Sequence, residues 1–328
     1  MSNEIDSFFE EIITRYPNEV QWKYLSQNPN ISEAFFERHI GEVVWTALSL
    51  NPNMSEAFWR RHIDKAYWAF LSGNRNISEA FFESHLDKVT LGWISMNPNI
   101  SEAFFERHIT DGKVIWWCLS MNPGISEAFF ERHLDKVDWE WLCKNPGISE
   151  RFFERHLDKV DWASLSANTN ISEAFFERHI DKVNWASLSA NTNISEAFFE
   201  RHLDKVNWKG LSGNRNVSEV FFERYLYKVN WRELSQNPNI SETFFERHIR
   251  DVYWEFLSSN PNISEAFFER HLNKVHPSEI SRNKSLSPLF FLNNLNIVVI
   301  DVLCFNSFDM YLKKIKNSGL AENCVPIA

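Results

Sequence analysis

An asparagine recurs every 23 residues along this chain, at twelve places from Asn28 to Asn283, and only the step from Asn97 to Asn122 is longer, at 25. Around each asparagine the same phrase is rewritten, close to W-x-x-L-S-x-N-P-N-I-S-E-A-F-F-E-R-H-I-D-K-V-N. A fixed period of this length excludes an ordinary globule. Each unit is too small to bury an apolar face alone, so it must stack on its neighbours. Units start at Trp22, Trp45, Trp68, Leu91, Trp116, Trp139, Trp162, Trp185, Trp208, Trp231 and Trp254, with a degenerate twelfth at Pro277. The expected fold is all-α: a solenoid of about eleven two-helix repeats over residues 22–276, an N-terminal cap in 1–21, and a degenerate repeat, cap helix and tail in 277–328. Helix layers spaced about 8–10 Å apart would make the stack on the order of 100 Å long.

Two short helices are expected per unit. The first spans Trp-x-x-Leu-Ser, and Asp138, Asp161, Asn184, Asn207 and Asn230 stand where they would cap it. At one or two turns it is open to 3-10 geometry. Asn-Pro-Asn ends it, because the residue before proline is pushed out of the α region. The second helix opens at Asn-Ile-Ser-Glu, where Asn30 with Glu33 forms a capping box and Ser32 is the competing cap, and it runs on through Asp-Lys-Val. On a helical wheel Phe175, Phe176, His179, Ile180 and Val183 share one arc. Glu173, Glu177 and Asp181 flank that arc on one side, Arg178 and Lys182 on the other. Like charges at this spacing weakly oppose an isolated helix. In a stack the acidic edge of one helix meets the basic edge of the next, which predicts a ladder of inter-repeat ion pairs, each weak by itself. The long step comes from Asp111-Gly112, a turn pair that lengthens a loop before Trp116. The repeats at Trp162 and Trp185 differ only at Ile180 against Leu203, and verbatim copying of this kind argues against a catalytic centre in the unit.

The phrase W-x-x-L-S-x-N-P-N, followed by an amphipathic helix and Asp-Lys-Val/Ile, resembles short repeats of proteins encoded by large DNA viruses. More loosely, the Asn-Pro-Asn turn between two short helices is similar to leucine-rich-variant repeats, which stack α and 3-10 helices. The resemblance covers about residues 22–295. It implies a solenoid wound as a right-handed superhelix and a virus-encoded protein, and it carries no activity.

A formal net charge of −10 argues against a nucleic-acid backbone as partner, since those interfaces need clustered Lys and Arg. Cys118, Cys143, Cys304 and Cys324 fall at non-equivalent places without metal spacing, as reduced thiols of an intracellular protein would. The opening MSNEIDSFFEEIITRYP carries acids and no continuous apolar stretch, so it does not read as a secretory signal. No apolar run approaches the roughly 20 residues of a membrane span. Nine units carry Asn-x-Ser, which the secretory pathway would glycosylate at a helix start. Together these place the protein in the cytoplasm: the host cytoplasm, or the virion, if it is viral.

Several columns invite a chemical reading. Histidine recurs at His39, His62, His85, His108, His133, His156, His179, His202, His248 and His271, with Tyr225 in the eleventh place. The column is read as hydrogen-bonded core histidine, against a pH-sensitive stack or a metal site. The asparagines are read as a ladder satisfying backbone groups at successive turns. Trp185 and Leu188 typify inward-facing core positions of the first helix. What the repeat leaves free is the first, second and fifth residue after the Trp. These are apolar and large at Trp93, Met96, Trp117, Met121 and Trp141, and small or polar at Ala163, Ser164, Ala167, Arg232, Glu233 and Gln236. Exposed Trp and Met on one stretch suit a protein-binding patch. The alternative is packing against the neighbouring first helix, with Trp93 compensating for Leu91. No nucleophile–base pair, carboxylate dyad or phosphate loop stands out, so no enzyme, cofactor or metal is expected. A protein partner is, with a structural role in a virus particle as the alternative. At the ends, residues 6–13 (DSFFEEII) and Ser287-Pro288-Leu289-Phe290-Phe291 are decayed second helices, residues 296–316 suit a terminal amphipathic helix, and the tail follows Ser318.

Overall fold

A computed structural model describes residues 2–299 apart from 16, 18, 19, 111 and 113. Among the described residues every regular element is a helix. The chain divides into two compact units, Met1–Ser164 and Leu165–Ala328, each an α-solenoid of stacked helix pairs. The first unit opens on the helix Ser2–Arg15 and proceeds through pairs such as Trp22–Gln27 with Glu33–Arg38. The second contains pairs such as Trp185–Ala190 with Glu196–Arg201, and closes on Pro277–Arg282, Pro288–Asn293 and a 3-10 turn, Leu295–Ile297.

First helices are four to six residues long and begin at the Trp as expected. Asp138, Asn184, Asn207 and Asn230 cap them by accepting the N–H three residues on. The second helix is shorter than expected, and it is capped differently. It starts at the Glu, and the Ser before it is the N-cap: Ser195 Oγ accepts the Phe198 N–H at 3.3 Å. Asn30 lies outside the helix, so Glu33 stands at the first helical position and cannot close a box with it. The Glu side chain reaches instead to the next repeat, where Glu33 accepts the Ser55 N–H at 2.9 Å and Glu79 that of Ser101 at 2.8 Å. The capping box is therefore split between two repeats, each Ser receiving its carboxylate from the unit before.

Six residues later the helix stops at the Arg, with the His at its C-cap (His202, φ −127°, ψ 32°). The following Ile-Asp-Lys-Val forms turns, closed by bonds such as Lys205 N–H to His202 carbonyl at 2.9 Å. Helical propagation beyond the Arg would carry the chain past the point where it must return for the next first helix. Ile180 is consequently half-buried off the helix, while Val183 is buried in the turn.

The core is a file of paired phenylalanines. Phe175 and Phe176 have no exposed surface and meet edge to face at 5.9 Å, as do their equivalents in each repeat. Leu188 and Ile194 join them. Fully burying such side chains stabilises by roughly 1.5–3 kcal/mol each, which supplies what six-residue helices lack alone. Trp185 is only half-buried, contrary to its reading as core. Its indole lies against Phe198 at 6.1 Å and His202 at 5.6 Å, because the position sits at the rim where the second helix ends.

Polar ladders join the layers. Asn191 donates through its carboxamide to the carbonyls of Ser166 and Asn168, at 3.0 and 3.2 Å, and accepts the Asn193 N–H at 2.9 Å. Ser189 Oγ accepts the Asn207 N–H at 2.9 Å, securing the next first helix. The ion-pair ladder forms as expected between the Glu of one repeat and the Arg of the next, as in Arg61 with Glu33 and Glu37. Ion-pair contacts to the Asp and Lys of the stripes are rarer: Lys136 and Lys274 lie over the Trp of their own repeat instead.

At the long step Gly112 adopts φ +66°, a turn conformation that glycine adopts without strain, and the preceding helix Glu102–His108 runs to seven residues, longer than either neighbouring second helix. On the opposite edge, Gly124 replaces the usual Asn, and a Cβ there would stand 2.5 Å from the Pro98 carbonyl oxygen. The junction is thus widened at one edge and closed at the other.

The N-terminal helix meets the first repeat through the residues of its decayed motif. Asp6 accepts the Ser32 N–H at 3.0 Å, and Glu10 pairs with Arg38 and His39. At the other end Ser287 caps Pro288–Asn293, and Phe290 and Phe291 are buried. The Val299 N–H reaches Ser281 Oγ at 2.9 Å, the contact that opens every later repeat. The expected terminal helix at 296–316 begins instead as a 3-10 turn that gives way to extended chain at Val298, and from residue 300 it lies outside the described residues, as does the tail.

Candidate protein-binding ridge

The first helices of the first unit carry the large apolar residues on their outer side. Trp117 and Trp141, from adjacent repeats, meet at 5.5 Å between ring centroids. Trp93 leans the other way, meeting Phe70 edge to face at 6.0 Å and lying against Gly73. Met96, Met121 and Trp141 are half-buried, whereas Trp93 and Trp117 keep 41% and 44% of their surface exposed. Trp93, Trp117 and Trp141 thus pack on a neighbouring first helix, and Trp93 and Trp117 still present a face to solvent. Tyr24, Leu50 and Tyr67 are also exposed among the first-helix repeats of this unit. At its far end the ridge turns polar, where Lys144 lies 4.3 Å from the Trp141 ring and pairs with Glu140 at 2.8 Å. In the second unit the corresponding places hold small residues at Ala186, Ala190, Gly210 and Gly213, charged ones at Arg232 and Glu233, and a half-buried Phe256 under Arg232.

The histidines lie at the edge of the core, and only His108 among those described is buried. Most are half-buried at the helix C-cap, stacked on Phe and Trp, with Nε2 facing a glutamate of the preceding repeat. His62 lies 3.1 Å from Glu37, His156 3.1 Å from Glu131 and His248 3.1 Å from Glu223. The short helix is the reason: it brings the ring to the rim and not into the arc. The Arg155 guanidinium, working against burial and helped by His156, holds the Glu131 carboxyl below its ordinary range, and Arg247 with His248 does the same for Glu223. Among the described residues no three His, Cys, Asp or Glu side chains come together as a metal-holding group, and no helix is long and apolar enough to cross a membrane.

Two thiols sit inside the first unit. Burial pushes Cys118 up to about 11 and Cys143 up to about 12. Cys143 occupies the place of the ladder serine and receives the Asp161 N–H.

A second departure from the repeat escaped the sequence reading except at Tyr225. In the repeat at Trp208, Val220 replaces the usual Ala, Tyr225 the His and Tyr227 the Asp, and Val220 and Tyr227 are the most exposed large apolar side chains described, at 70% and 80%. Comparing each column of the repeat, and not only the positions after the Trp, would have found it.

Fold and site together define a repeat protein of the α-solenoid class. The chain matches no family model, no curated protein and no solved structure.

Proposed function

We propose that the chain is a non-catalytic scaffold that binds a protein partner along the aromatic ridge of its first unit, and, on the resemblance of its repeat, that it works in a virus-infected cell. The observation that supports this is the exposure of Trp93 and Trp117 at places where the repeats at Trp162 and Trp185 carry serine and alanine. Aromatic residues set in a packed row and partly open to solvent are the usual anchors of protein interfaces. Alanine at these places is compatible with the repeat, as Ala163 and Ala186 demonstrate for Trp117 and Ala47 for Trp93. The test is affinity purification of the intact chain and of the Trp93→Ala/Trp117→Ala variant from producing cells, with helicity checked by circular dichroism. A partner recovered with the intact chain and lost with a folded variant supports the proposal. An unchanged set of recovered proteins refutes it.

A further inference from the structure

The turn that follows each second helix normally displays Asp then Lys. Asp158 and Lys159, Asp181 and Lys182, and Asp204 and Lys205 repeat this in three successive units. The next three units carry Tyr227 and Lys228, Arg250 and Asp251, and Asn273 and Lys274. Three carboxylates in a row are gone from the first position. Three cations and one carboxylate stand where the preceding three units have three of each. Residues 23 apart occupy equivalent places in consecutive layers, and the layers touch through the asparagine and Arg–Glu ladders, so these substitutions form one column in the second unit.

The column has an apolar anchor as well as charge. Tyr227 is 80% exposed, with Lys228 5.8 Å from its ring centroid, and Val220 is 70% exposed on the helix Glu219–Arg224 of the same repeat. Val220 and Arg224 stand at i and i+4 on that helix, and Tyr227 follows in the turn three residues past its end. Arg224 is paired with Glu200, which leaves Lys228 and the exposed Arg250 as the cations available beside Tyr227. Nothing in the packing demands the change, since aspartate serves at the same place in the neighbouring repeats.

We propose that this edge, built on Tyr227, Lys228 and Arg250, binds an acidic peptide segment of a partner protein, one that sets a carboxylate against the cations and an apolar side chain against Tyr227 and Val220. A carboxylate approaching the regular turns of this unit would meet Asp181 or Asp204, whereas along this column Asp251 alone opposes it. A polyanionic backbone is less suited, because three cations beside Asp251 on a chain of net charge −10 are too few for the phosphate contacts such binding needs.

Phage-displayed random peptides selected on the full chain test this, with the selected peptide then titrated against Tyr227→Asp/Arg250→Asp. That variant restores the residue other repeats use, so it should fold, and circular dichroism confirms it. The expected result is enrichment of Asp and Glu around an apolar residue, binding that weakens with salt, and a loss of about tenfold or more in the Asp variant. Binding to Trp117→Ala/Trp141→Ala should be unchanged, which separates this edge from the aromatic ridge. Failure to select any peptide, selection without acidic enrichment, or equal affinity for the Asp variant overturns the proposal. So does stronger competition by a single-stranded DNA oligonucleotide than by the free peptide, which would point to nucleic acid.

Discussion

Replacing Asn214 tests the asparagine ladder most directly. Its side chain is 1% exposed and makes three hydrogen bonds: to the carbonyls of Ser189 and Asn191, at 3.1 and 3.0 Å, and from the Asn216 N–H at 2.9 Å. Asn214→Ala removes all three and strands their partners. At about 1 kcal/mol net per bond, with more for each group left unsatisfied, the loss should be about 3–5 kcal/mol. That is a large part of the 5–15 kcal/mol typical of a domain. Asn214→Asp keeps the acceptor for Asn216 but turns an oxygen toward two carbonyls. Burial and these dipoles disfavour the charged form, so the folded pKa of the new carboxyl is raised above its unfolded value of about 3.9. The added cost is absent below the unfolded pKa, grows as pH rises through it, and levels off above the folded pKa. At neutral pH the Asp variant should therefore be less stable than the Ala variant, and the gap should close on acidification, when a protonated carboxyl can donate to one carbonyl. Urea unfolding followed by tryptophan fluorescence at several pH values measures this, taken as the difference between the two variants so that other titrations cancel. Asn28 is the control: half-exposed, it accepts only the Asn30 N–H among the described residues, and its Ala variant should lose about 1 kcal/mol. A loss at Asn214 no greater than at Asn28, or an Asp variant as stable as the Ala variant at neutral pH, would refute the ladder as a source of stability.

Three further outcomes are expected. The carboxyls of Glu37, Glu131 and Glu223 are held below their ordinary range, so their stabilisation is complete above the unfolded pKa of about 4.3 and is lost as pH falls through the lower folded values; melting temperature should drop steeply below about pH 4, and Glu131→Gln/Glu223→Gln should flatten that drop. Cys143→Ser places a stronger acceptor before the Asp161 N–H, as the other repeats do, and should gain about 0.5–1 kcal/mol in urea unfolding; a loss would show that sulfur packing matters more. Gly124→Ala forces a Cβ toward the Pro98 carbonyl and should cost about 1–3 kcal/mol, whereas Gly41→Ala meets open space and should change stability little, both read from denaturant midpoints.

Much of the fold was legible because the repeat samples the same solution many times. The Phe-Phe pair, the first-helix caps and the Glu-to-Arg ladder followed from periodicity alone. The Asn30–Glu33 box failed because spacing along one chain cannot show that Glu33 is satisfied by Ser55 of another layer. Treating the second helix as longer than six residues carried His179 and Ile180 into an apolar arc, although the helix ends before either. Trp185 was placed inside on its hydrophobicity, yet a rim position between Phe198 and His202 suits an indole equally well. Of the ridge, the sequence revealed which residues stand out, but not that Trp117 pairs with Trp141 while Trp93 turns toward Phe70. The period also runs one step further than twelve: Asn306 follows Asn283 by 23, with Leu303 in the leucine place and Cys304 in that of the serine.

The recurring ladder contacts share one direction. The carboxamide of Asn214, the guanidinium of Arg247, the ring of His248 and the Ser218 N–H each reach residues of the repeat before them. A copied repeat inserted anywhere in such a series finds all its donors matched behind it and offers the same acceptors ahead, so lengthening the chain by one period orphans no polar group. The Trp162 and Trp185 repeats, one residue apart in 23, record an insertion of that kind. Length in this protein is therefore free to drift under duplication, while change within a repeat is held to the few positions that no neighbour reads.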